Sequence, residues 1–362
     1  MQPIIKQIDI QSAAVPLKRP FKTALRTVTT AQTLIVKVVT DDGRIGYGEA
    51  APTPVITGDT LASIQDAVKN VIGPKIIGKS LANPDDIKAT IDQSMVHNSS
   101  PKAALNIAVN DLLAQLYGVP LYQLLGGHRD RIQTDYTVSV GTIADMIDQA
   151  NDLISKGFDT LKIKVGDDSE ENDLQKIVAI RKAVGPAIHL RLDANQGWHP
   201  KQAVAVINRM ADLGLNIQLV EQPVLAADFE GMAHVTANTS TMIMADESIF
   251  SVEDAARIIA MHGCDIINLK LMKAGGIDNA LKINTLAEAA GISCMVGSMI
   301  ESSVSVTAAA HLAAAKRNIQ YVDLDASMMF TSNPVSGGIG YLQNEITLPN
   351  VPGLGSSNVK LS

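Results

Sequence analysis

From about residue 134 to residue 324, apolar and polar positions follow one repeating pattern. Apolar, β-branched runs predict strands, and the segments between them carry apolar residues at three- and four-residue spacing and predict helices. The predicted strands number eight and span 134–140, 160–165, 188–193, 217–221, 241–246, 265–270, 292–297 and 319–324. Strands that alternate with helices indicate a parallel sheet, and eight such units indicate closure into a barrel.

The first third of the chain has a different pattern. Extended apolar runs flank the turn Asp41-Asp42-Gly43 and predict a β-hairpin, with polar loops at 19–27 and 51–60. Helical spacing follows at 61–72, 84–97 and 102–117. We therefore predict an α+β domain over residues 1–125 and a barrel over 126–330. No convincing helix follows the eighth strand, and the Gly- and Pro-rich segment 331–362 is predicted to return to the first domain.

Charge and composition exclude several classes of function. The net charge of -7 argues against a nucleic-acid or anionic-membrane partner. No uncharged apolar run approaches the roughly 18 residues that cross a bilayer, and polar residues interrupt the N-terminus where a signal peptide would be apolar. Cys264 and Cys294 form neither a disulfide framework nor a zinc-ligand set. We expect a cytoplasmic protein with no nucleic-acid or membrane partner.

Acidic residues end three successive predicted strands, at Asp193, Glu221 and Asp246. Chemistry in such barrels lies at the C-terminal ends of the strands, so these carboxylates would converge and repel one another unless a cation compensates them. Hard oxygen ligands favour Mg²⁺. Asn195 points the same way and is a candidate to support the ligands. Solvated acids at a barrel rim are the simpler alternative, but three on consecutive strands favour a metal site.

Three lysines join this acidic set. Lys162 and Lys164 share one strand face, so two close ammonium groups would lower each other's pKa. In a cleft this would leave one of them partly neutral near pH 7, whereas on a surface strand it would have no consequence. Strands two and six lie opposite in an eight-stranded barrel, so Lys164 and Lys270 would face each other across its axis. One could remove an α-proton while the other delivers a proton from the opposite side. The pattern predicts inversion at a carbon next to a carboxylate, unless Lys270 merely balances acids at the rim.

Asp323 and Asp325 share a face at the end of the eighth strand. They lie outside the metal set, so a substrate ammonium group would suit them, although a solvated acidic loop is an alternative. Arg26, in the first polar loop, could reach a distal anion of the substrate if the first domain covers the barrel mouth. A surface arginine fits the sequence equally well.

These residues resemble the enolase superfamily, muconate-lactonising subgroup, over essentially the whole chain. The motifs that carry the resemblance are KIK at 162–164, DANQGW at 193–198, EQP at 221–223, DES at 246–248 and KLMKAGG at 270–276. The resemblance implies a (β/α)₇β TIM-like barrel of the α/β class with an α+β capping domain. It also implies one Mg²⁺ per subunit, bound by Asp193, Glu221 and Asp246, and removal of a proton α to a carboxylate.

The DLD motif at 323–325 narrows the resemblance to dipeptide epimerases, in which such a pair is the site for the substrate's α-ammonium. The loops PFKTALRT at 20–27 and VITGD at 55–59 look like the specificity loops of epimerases of Ala-Glu dipeptides, where the arginine matching Arg26 binds the glutamate side chain. The resemblance implies that Lys162 contacts the substrate carboxylate and that Thr137, Ser298 and Ile300 line the dipeptide site. We therefore expect a homo-oligomeric isomerase of cell-wall peptide metabolism that inverts the second residue of Ala-Glu-type dipeptides.

Three alternatives remain, and a fourth, the mandelate-racemase type, is excluded. An o-succinylbenzoate synthase or an N-acylamino acid racemase would use the same lysines and metal but would not need the acidic pair. A dipeptide epimerase could instead prefer hydrophobic or cationic residues. A mandelate-racemase-type site needs a histidine base, and His189, His199, His262 and His311 fall where none fits. A non-catalytic metal-stabilised barrel would leave the opposed lysines unexplained.

Overall fold

A computed structural model describes residues 2–359. The chain begins with an antiparallel sheet of three strands, β1 (Ile5–Lys22), β2 (Thr27–Thr40) and β3 (Ile45–Ala50), in that order. The hairpin between β1 and β2 is longer than the sequence pattern predicts, because Phe21 pairs with Val28 and Lys22 with Thr27. Only residues 23–26 form its turn, so Arg26 lies at the tip of a paired hairpin.

Five helices complete the first domain: α1 (Leu61–Asp66), α2 (Gly73–Ile76), α3 (Pro84–Gln93), α4 (Ser99–Tyr117) and α5 (Leu121–Leu125), with a π-helical segment at Ala67–Ile72. The helix α4 packs on β3 so closely that Gly46 and Gly48 have no room for a side chain. A Cβ at Gly48 would stand 1.8 Å from the carbonyl oxygen of Ala104, and one at Gly46 would stand 2.2 Å from that of Ala108. These two glycines therefore let the helix and sheet share one core.

The second part is a nearly closed parallel barrel, and the predicted fold class is confirmed. A short strand, β4 (Arg131–Gln133), precedes it. Its eight strands, in sheet order, are β5 (Tyr136–Val138), β6 (Thr160–Lys164), β7 (His189–Asp193), β8 (Ile217–Glu221), β9 (Met242–Ala245), β10 (Ile266–Lys270), β11 (Ser293–Gly297) and β12 (Ile319–Asp323). The ladder is open only between β12 and β5, where the amide N–H of Asp135 donates to the Val322 carbonyl at 3.3 Å.

Helices connect the barrel strands and form the outer layer. They are α6 (Ile143–Ser155), α7 (Glu170–Val184), α8 (Pro200–Asp212), α9 (Phe229–Ala237), α10 (Val252–Ala260), α11 (Leu271–Ala274), α12 (Ile277–Ala289) and α13 (Ser303–Ala315). Hydroxyl side chains fix where several of them begin: Thr142, Ser169 and Ser251 each accept a hydrogen bond from the first turn of α6, α7 and α10. The apolar faces of these helices pack with the strands in one continuous core.

After β12 the chain forms a 3₁₀ helix at Ala326–Met329 rather than an α-helix. The tail then forms β13 (Val335–Gly337), β14 (Gly340–Leu342), β15 (Glu345–Thr347) and β16 (Ser356–Val359). The strand β15 pairs with β4, and the amide N–H of Leu354 donates to Asp111 of α4 at 2.8 Å. The tail thus contacts both parts of the chain, while residues 360–362 of the predicted C-terminal segment lie outside the described residues.

A buried carboxylate joins the first domain to the barrel mouth. Glu49 of β3 accepts hydrogen bonds from the amide N–H groups of Ser302 and Ser305, at 2.7 and 2.9 Å, and from the Ser302 hydroxyl at 2.7 Å. These donors lie at the start of α13, where an acidic group is stabilised by the unpaired N–H groups and the helix dipole. Glu49 therefore fixes the loop that leads from β11 to α13 against the first domain.

Between residues 2 and 359, no helix combines the length and the apolar character that a bilayer crossing requires.

The imidazole of His311, buried in α13, makes the stability of the fold sensitive to mild acid. Its Nδ1 accepts a hydrogen bond from the Tyr122 amide at 2.9 Å, and burial lowers the pKa of His311 to about 3. An unfolded histidine, with a pKa of about 6.5, takes up a proton below that pH whereas the folded one does not. Stability present above pH 6.5 is therefore lost as pH falls toward 3, by about 2 kcal/mol between pH 7 and pH 5.

We expect the His311→Gln variant to lose less thermal stability between pH 7 and pH 5 than the wild type. Glutamine still offers an oxygen to the Tyr122 amide but does not titrate. Differential scanning calorimetry at the two pH values measures the difference, with His128→Gln, at an exposed position, as the control. Equal losses in all three proteins would contradict the assignment.

Candidate active site

Two lysines stand on opposite sides of the barrel mouth. Lys164 ends β6 and Lys270 ends β10, and three strands separate β6 from β10 in either direction around the barrel. Both side chains are buried. The ammonium of Lys164 lies 2.5 Å from Asp193 Oδ2, and that of Lys270 lies 2.7 Å from Asp246 Oδ2. Each amine therefore points into the barrel mouth from its own side.

The three acidic residues predicted as metal ligands lie on the strands between these lysines. Asp193 pairs in register with Lys164 on one side and Glu221 on the other, and Asp246 directly follows β9. Lys162 contacts several carboxylates at once. Its Nζ lies 3.0 Å from Asp193 Oδ2, 2.6 Å from Glu221 Oε2 and 2.8 Å from Asp323 Oδ2. Ammonium groups thus balance part of the negative charge of the acidic set, and Lys273, 2.6 Å from Asp246 Oδ1, is a further one.

Electrostatics at the mouth differ from the sequence-based expectation for Lys162. Burial by itself lowers the pKa of Lys162, but the charges of Asp193, Asp323 and Glu221 raise it well above the usual value. The pKa of Lys270 is also raised, because Asp246 and Glu221 outweigh its burial. The prediction of a lowered pKa for Lys162 is therefore wrong in this arrangement. The nearby carboxylates change the pKa of Lys162 more than the repulsion between the two lysines does.

The pKa values of the carboxyl groups at the mouth are shifted in opposite directions. Burial raises the pKa of Asp193, but Lys162 and Lys164 overcome it and bring the value to about 2. Burial and the nearby charge of Asp193 raise the pKa of Glu221 to about 8, in spite of Lys162. One member of the set is therefore firmly ionised and another resists ionisation, as expected where several acids share a site with too little positive charge.

The residues at the mouth fit a divalent cation. Asp193, Glu221 and Asp246 offer buried carboxyl oxygens from adjacent positions, the donor type that Mg²⁺ prefers. Two buried oxygens at the mouth, Asn195 Oδ1 and Glu247 Oε2, accept no hydrogen bond from any residue that the structure describes, and a cation would satisfy them. Among residues 2–359, no three acidic, histidine or cysteine side chains are already grouped as a metal shell. Lysine ammonium groups lie among the acids instead.

Neighbouring amides orient the acidic side chains. Asn195 contributes its backbone N–H, which donates to Asp193 Oδ1 at 2.9 Å, while its side chain donates to Glu247. Asn268 Nδ2 donates to Glu221 Oε1 at 2.8 Å, and Gln222 Oε1 accepts from the Asp246 amide at 2.9 Å. Sequence reasoning missed Glu247, Asn268 and Gln222. The position of Asn268, two residues before Lys270 on the same strand, was a signal that could have identified it.

A small cavity of about 60 Å³ joins the lysines to the predicted specificity residues. Arg26, Ser298 and Ile300 line it together with Lys164 and Lys270. The Arg26 side chain has no ion-pair partner among the residues that the structure describes, and burial lowers its pKa. A partly buried cation without a counter-ion suits an anionic ligand group.

Thr137 does not line this cavity but belongs to a larger one beside it. Its amide N–H donates to Asp325 Oδ2 at 2.7 Å, which places it next to the acidic pair.

The two acids at the end of β12 have different surroundings. Asp323 is paired with Lys162, so the argument that both acids need a cation from the substrate fails for Asp323 in this arrangement. Asp325 has no ion-pair partner within residues 2–359. Burial and the charge of Asp323 raise the pKa of Asp325 to about 7. Asp325 is therefore the acid whose environment calls for an external positive charge.

Comparison with known proteins gives consistent results over the whole chain. Residues 6–126 match the mandelate racemase / muconate lactonizing enzyme N-terminal domain, and residues 145–358 match the enolase C-terminal domain-like family. The chain is 52% identical over 351 residues to the L-Ala-D/L-Glu epimerase of Bacillus subtilis (strain 168), covering 97% of this chain and 96% of the relative.

Solved structures agree with this likeness. A substrate-liganded complex of the L-Ala-D/L-Glu epimerase from Bacillus subtilis superimposes with a TM-score of 0.98 at 51% identity, covering 99% of this chain and all (100%) of the other. The dipeptide epimerase from Enterococcus faecalis V583, in complex with Mg and the dipeptide L-Leu-L-Tyr, superimposes with a TM-score of 0.95 at 44% identity, covering 99% and 100% of the two chains.

Proposed function

Since the chain belongs to the mandelate racemase / muconate lactonizing enzyme family of the enolase superfamily, we propose that it is an Mg²⁺-dependent dipeptide epimerase. Its reaction is inversion of the α-carbon of the second residue in Ala-Glu-type dipeptides. The observation that carries the proposal is the placement of Lys164 and Lys270 on opposite strands, with three buried carboxylates on the strands between them. The identity to L-Ala-D/L-Glu epimerases over nearly the full length supports the choice of substrate.

The proton transfer needs one amine on each face of the substrate carbon. One lysine, as the free amine, removes the α-proton and becomes an ammonium, which leaves an enediolate. The other lysine, as an ammonium, gives a proton to the opposite face and becomes an amine. Inversion is then complete with no net change in protons. Because amine and ammonium protons exchange with solvent, the product acquires a solvent-derived hydrogen at the α-carbon.

Three carboxylates would hold the metal, namely Asp193, Glu221 and Asp246. When bound, Mg²⁺ supplies the positive charge that acidifies the α-carbon and stabilises the enediolate. The chain's own contribution is to orient these carboxylates through Asn268 and the Asn195 amide and to exclude water, since all three acids are buried.

Substrate recognition uses groups around the catalytic cavity. We assign Arg26 to the carboxylate of the glutamate side chain, because its half-buried guanidinium lacks a counter-ion in the part of the chain that the structure describes. The ammonium of the first residue goes to Asp325, with Asp323 and Thr137 beside it, and Lys162 contacts the substrate carboxylate. Ser298 and Ile300 line the same cavity as the lysines. The proposal also includes a homo-oligomer, a cytoplasmic location and a role in cell-wall peptide metabolism, which rest on the family resemblance.

The test is incubation with L-Ala-L-Glu in D₂O, with Mg²⁺ or with EDTA. We expect one deuterium at the α-carbon of glutamate and formation of L-Ala-D-Glu with Mg²⁺, and neither with EDTA. Mass spectrometry and chiral chromatography measure the two products. A library of dipeptides in the same assay would reveal a hydrophobic or cationic preference instead.

Two outcomes would contradict the proposal. Exchange that occurs only with N-acylated amino acids would indicate an N-acylamino acid racemase. Absence of exchange with any dipeptide or acylated amino acid would indicate a barrel without this chemistry.

A further inference from the structure

The gap in the barrel between β12 and β5, which we call the seam, passes through the site assigned to the substrate ammonium. Asp325 follows β12, and Thr137 lies on β5. The Thr137 amide donates to Asp325 Oδ2 at 2.7 Å, so this hydrogen bond crosses the seam. Elsewhere in the barrel a ladder of hydrogen bonds fixes the distance between neighbouring strands, but within residues 2–359 no ladder joins β12 to β5. The orientation of the Asp325 carboxylate therefore depends on other contacts that hold the two sides together.

Arg191 connects the two sides of the seam from inside the barrel. It lies on β7 two residues before Asp193, so its side chain points to the same face, below the catalytic groups. Its Nη1 donates to Asp135 Oδ2, just before β5, at 2.7 Å and to the Val322 carbonyl of β12 at 3.2 Å. One guanidinium nitrogen thus contacts both sides of the seam.

Further contacts fix the guanidinium of Arg191 itself. Its Nε donates to Gln218 Oε1 of β8 at 2.7 Å, and its Cζ lies 5.3 Å from the ring centroid of Tyr321 on β12. The side chain is buried, and its charge pairs with the buried carboxylate of Asp135. A planar guanidinium donates in several fixed directions, whereas an ammonium is a point charge on a flexible stem. Arg191 can therefore set a spacing in addition to balancing a charge.

Direct hydrogen bonds cross the seam next to the arginine. The Leu324 amide donates to Thr134 Oγ1 at 2.8 Å. The Asp135 amide donates to the Val322 carbonyl at 3.3 Å, which is long for a bond between N–H and oxygen. Since Val322 and Leu324 lie within three residues of Asp325, the contacts across the seam converge on the segment that carries this acid.

We propose that Arg191 is a positioning residue for substrate recognition, which holds β12 and β5 at a fixed spacing and so orients the Asp325 carboxylate toward the substrate ammonium. The inference rests on the proposed function. Lys164 and Lys270 end strands that are paired on both sides, β6 and β10. Proton transfer between these lysines and the substrate therefore depends much less on the seam than recognition of the ammonium does.

The experiment compares L-Ala-L-Glu with N-propionyl-L-glutamate, in which a hydrogen replaces the ammonium. Deuterium uptake at the α-carbon with Mg²⁺ gives kcat/KM for both substrates. In Arg191→Lys, which keeps a positive charge beside Asp135 but not the planar fork, we expect kcat/KM for Ala-Glu to fall about tenfold, mainly through KM. For propionyl-glutamate we expect a change of less than about threefold. Gln218→Met removes the acceptor of Arg191 Nε and should shift the two values in the same direction by about threefold, which keeps the test available if Arg191→Lys does not fold.

A double-mutant cycle with Asp325→Asn tests whether Arg191 acts through Asp325. In the Asp325→Asn background, Arg191→Lys should lower kcat/KM for Ala-Glu less than about threefold, because the group that it positions is already gone. Arg181→Lys is the matched control and should change neither substrate. Arg181 is also held by several acceptors, but these lie in the loops before β7 and β8, at the end of the barrel opposite the mouth; they are the carbonyls of Gly185, Ile188, Leu215 and Asn216.

Each other outcome decides against the inference. An equal loss with both substrates, or a full further loss in the Asp325→Asn background, would show that Arg191 supports the fold and not recognition. If Arg191→Lys and Gln218→Met both behave as the wild type, the spacing role is wrong. In these cases turnover of Ala-Glu by the wild type leaves the proposed function standing. If the wild type turns over no dipeptide, the proposed function and this inference both fail.

Discussion

Replacing either central lysine with methionine is expected to lower epimerisation by about a thousandfold or more, since each supplies general acid–base catalysis on its own face of the substrate. The two variants should differ in which dipeptide isomer still exchanges its α-hydrogen with solvent. In Lys164→Met, Lys270 can still remove and return a proton on its own face, so one of the two isomers, L-Ala-L-Glu or L-Ala-D-Glu, should exchange its α-hydrogen in D₂O without inverting. In Lys270→Met, the other isomer should do so. The measurement is deuterium uptake by each pure isomer.

A matched control separates loss of catalysis from loss of folding. Lys176, on α7, is also a buried lysine paired with aspartates: its Nζ lies 3.0 Å from Asp167 Oδ1, and none of its ion-pair partners in residues 2–359 is a predicted metal ligand. Lys176→Met should keep both exchange and inversion. If one lysine variant lost exchange with both isomers while the other variant kept exchange with both, the lysine replaced in the first variant would be the single base. Two unchanged variants would remove both lysines from the chemistry.

The sequence pattern predicted the barrel well because each strand and helix is specified locally. The strand Ile217–Glu221, for example, was predicted at the observed residues, because an apolar run between segments of helical spacing indicates a strand. The parallel register also follows, and it places Lys164, Asp193 and Glu221 side by side. These positions depend only on the order of the strands and on which residues end them.

Contacts across the barrel could not be predicted in this way. The sequence shows that Lys162 and Lys164 are neighbours, but not that Lys162 reaches Asp323 on a strand far along the chain. The raised pKa of Lys162 depends in part on this contact with Asp323. In the first domain, residues 19–27 contain polar and turn-forming residues and were predicted as a loop. Tertiary packing overrides this local preference, because Val28 and Phe21 pack in a small core with Ile300 and Met329.

The Asp325→Asn variant is expected to lower kcat/KM for L-Ala-L-Glu about a hundredfold, because an amide cannot neutralise the substrate ammonium. It should also change the pH profile. The pKa of Asp325 is raised to about 7. Below that pH the side chain is an uncharged acid, so kcat/KM of the wild type should fall as the pH decreases, by up to tenfold per pH unit, and level off above it. In Asp325→Asn this dependence should disappear.

Two controls make the result specific. Asp111→Asn changes another buried acid, whose pKa burial raises to about 6 but which lies in α4 of the first domain, so the pH profile should stay as in the wild type. N-acetyl-L-Ala-L-Glu lacks the ammonium, and the wild type should disfavour it strongly while Asp325→Asn should treat both substrates nearly alike. If the wild type already prefers the acetylated substrate, Asp325 does not bind an ammonium and the site is that of an N-acylamino acid racemase. The Asp325 carboxylate thus distinguishes a dipeptide substrate from an acylated one, whereas the lysine pair and the metal site would serve both reactions.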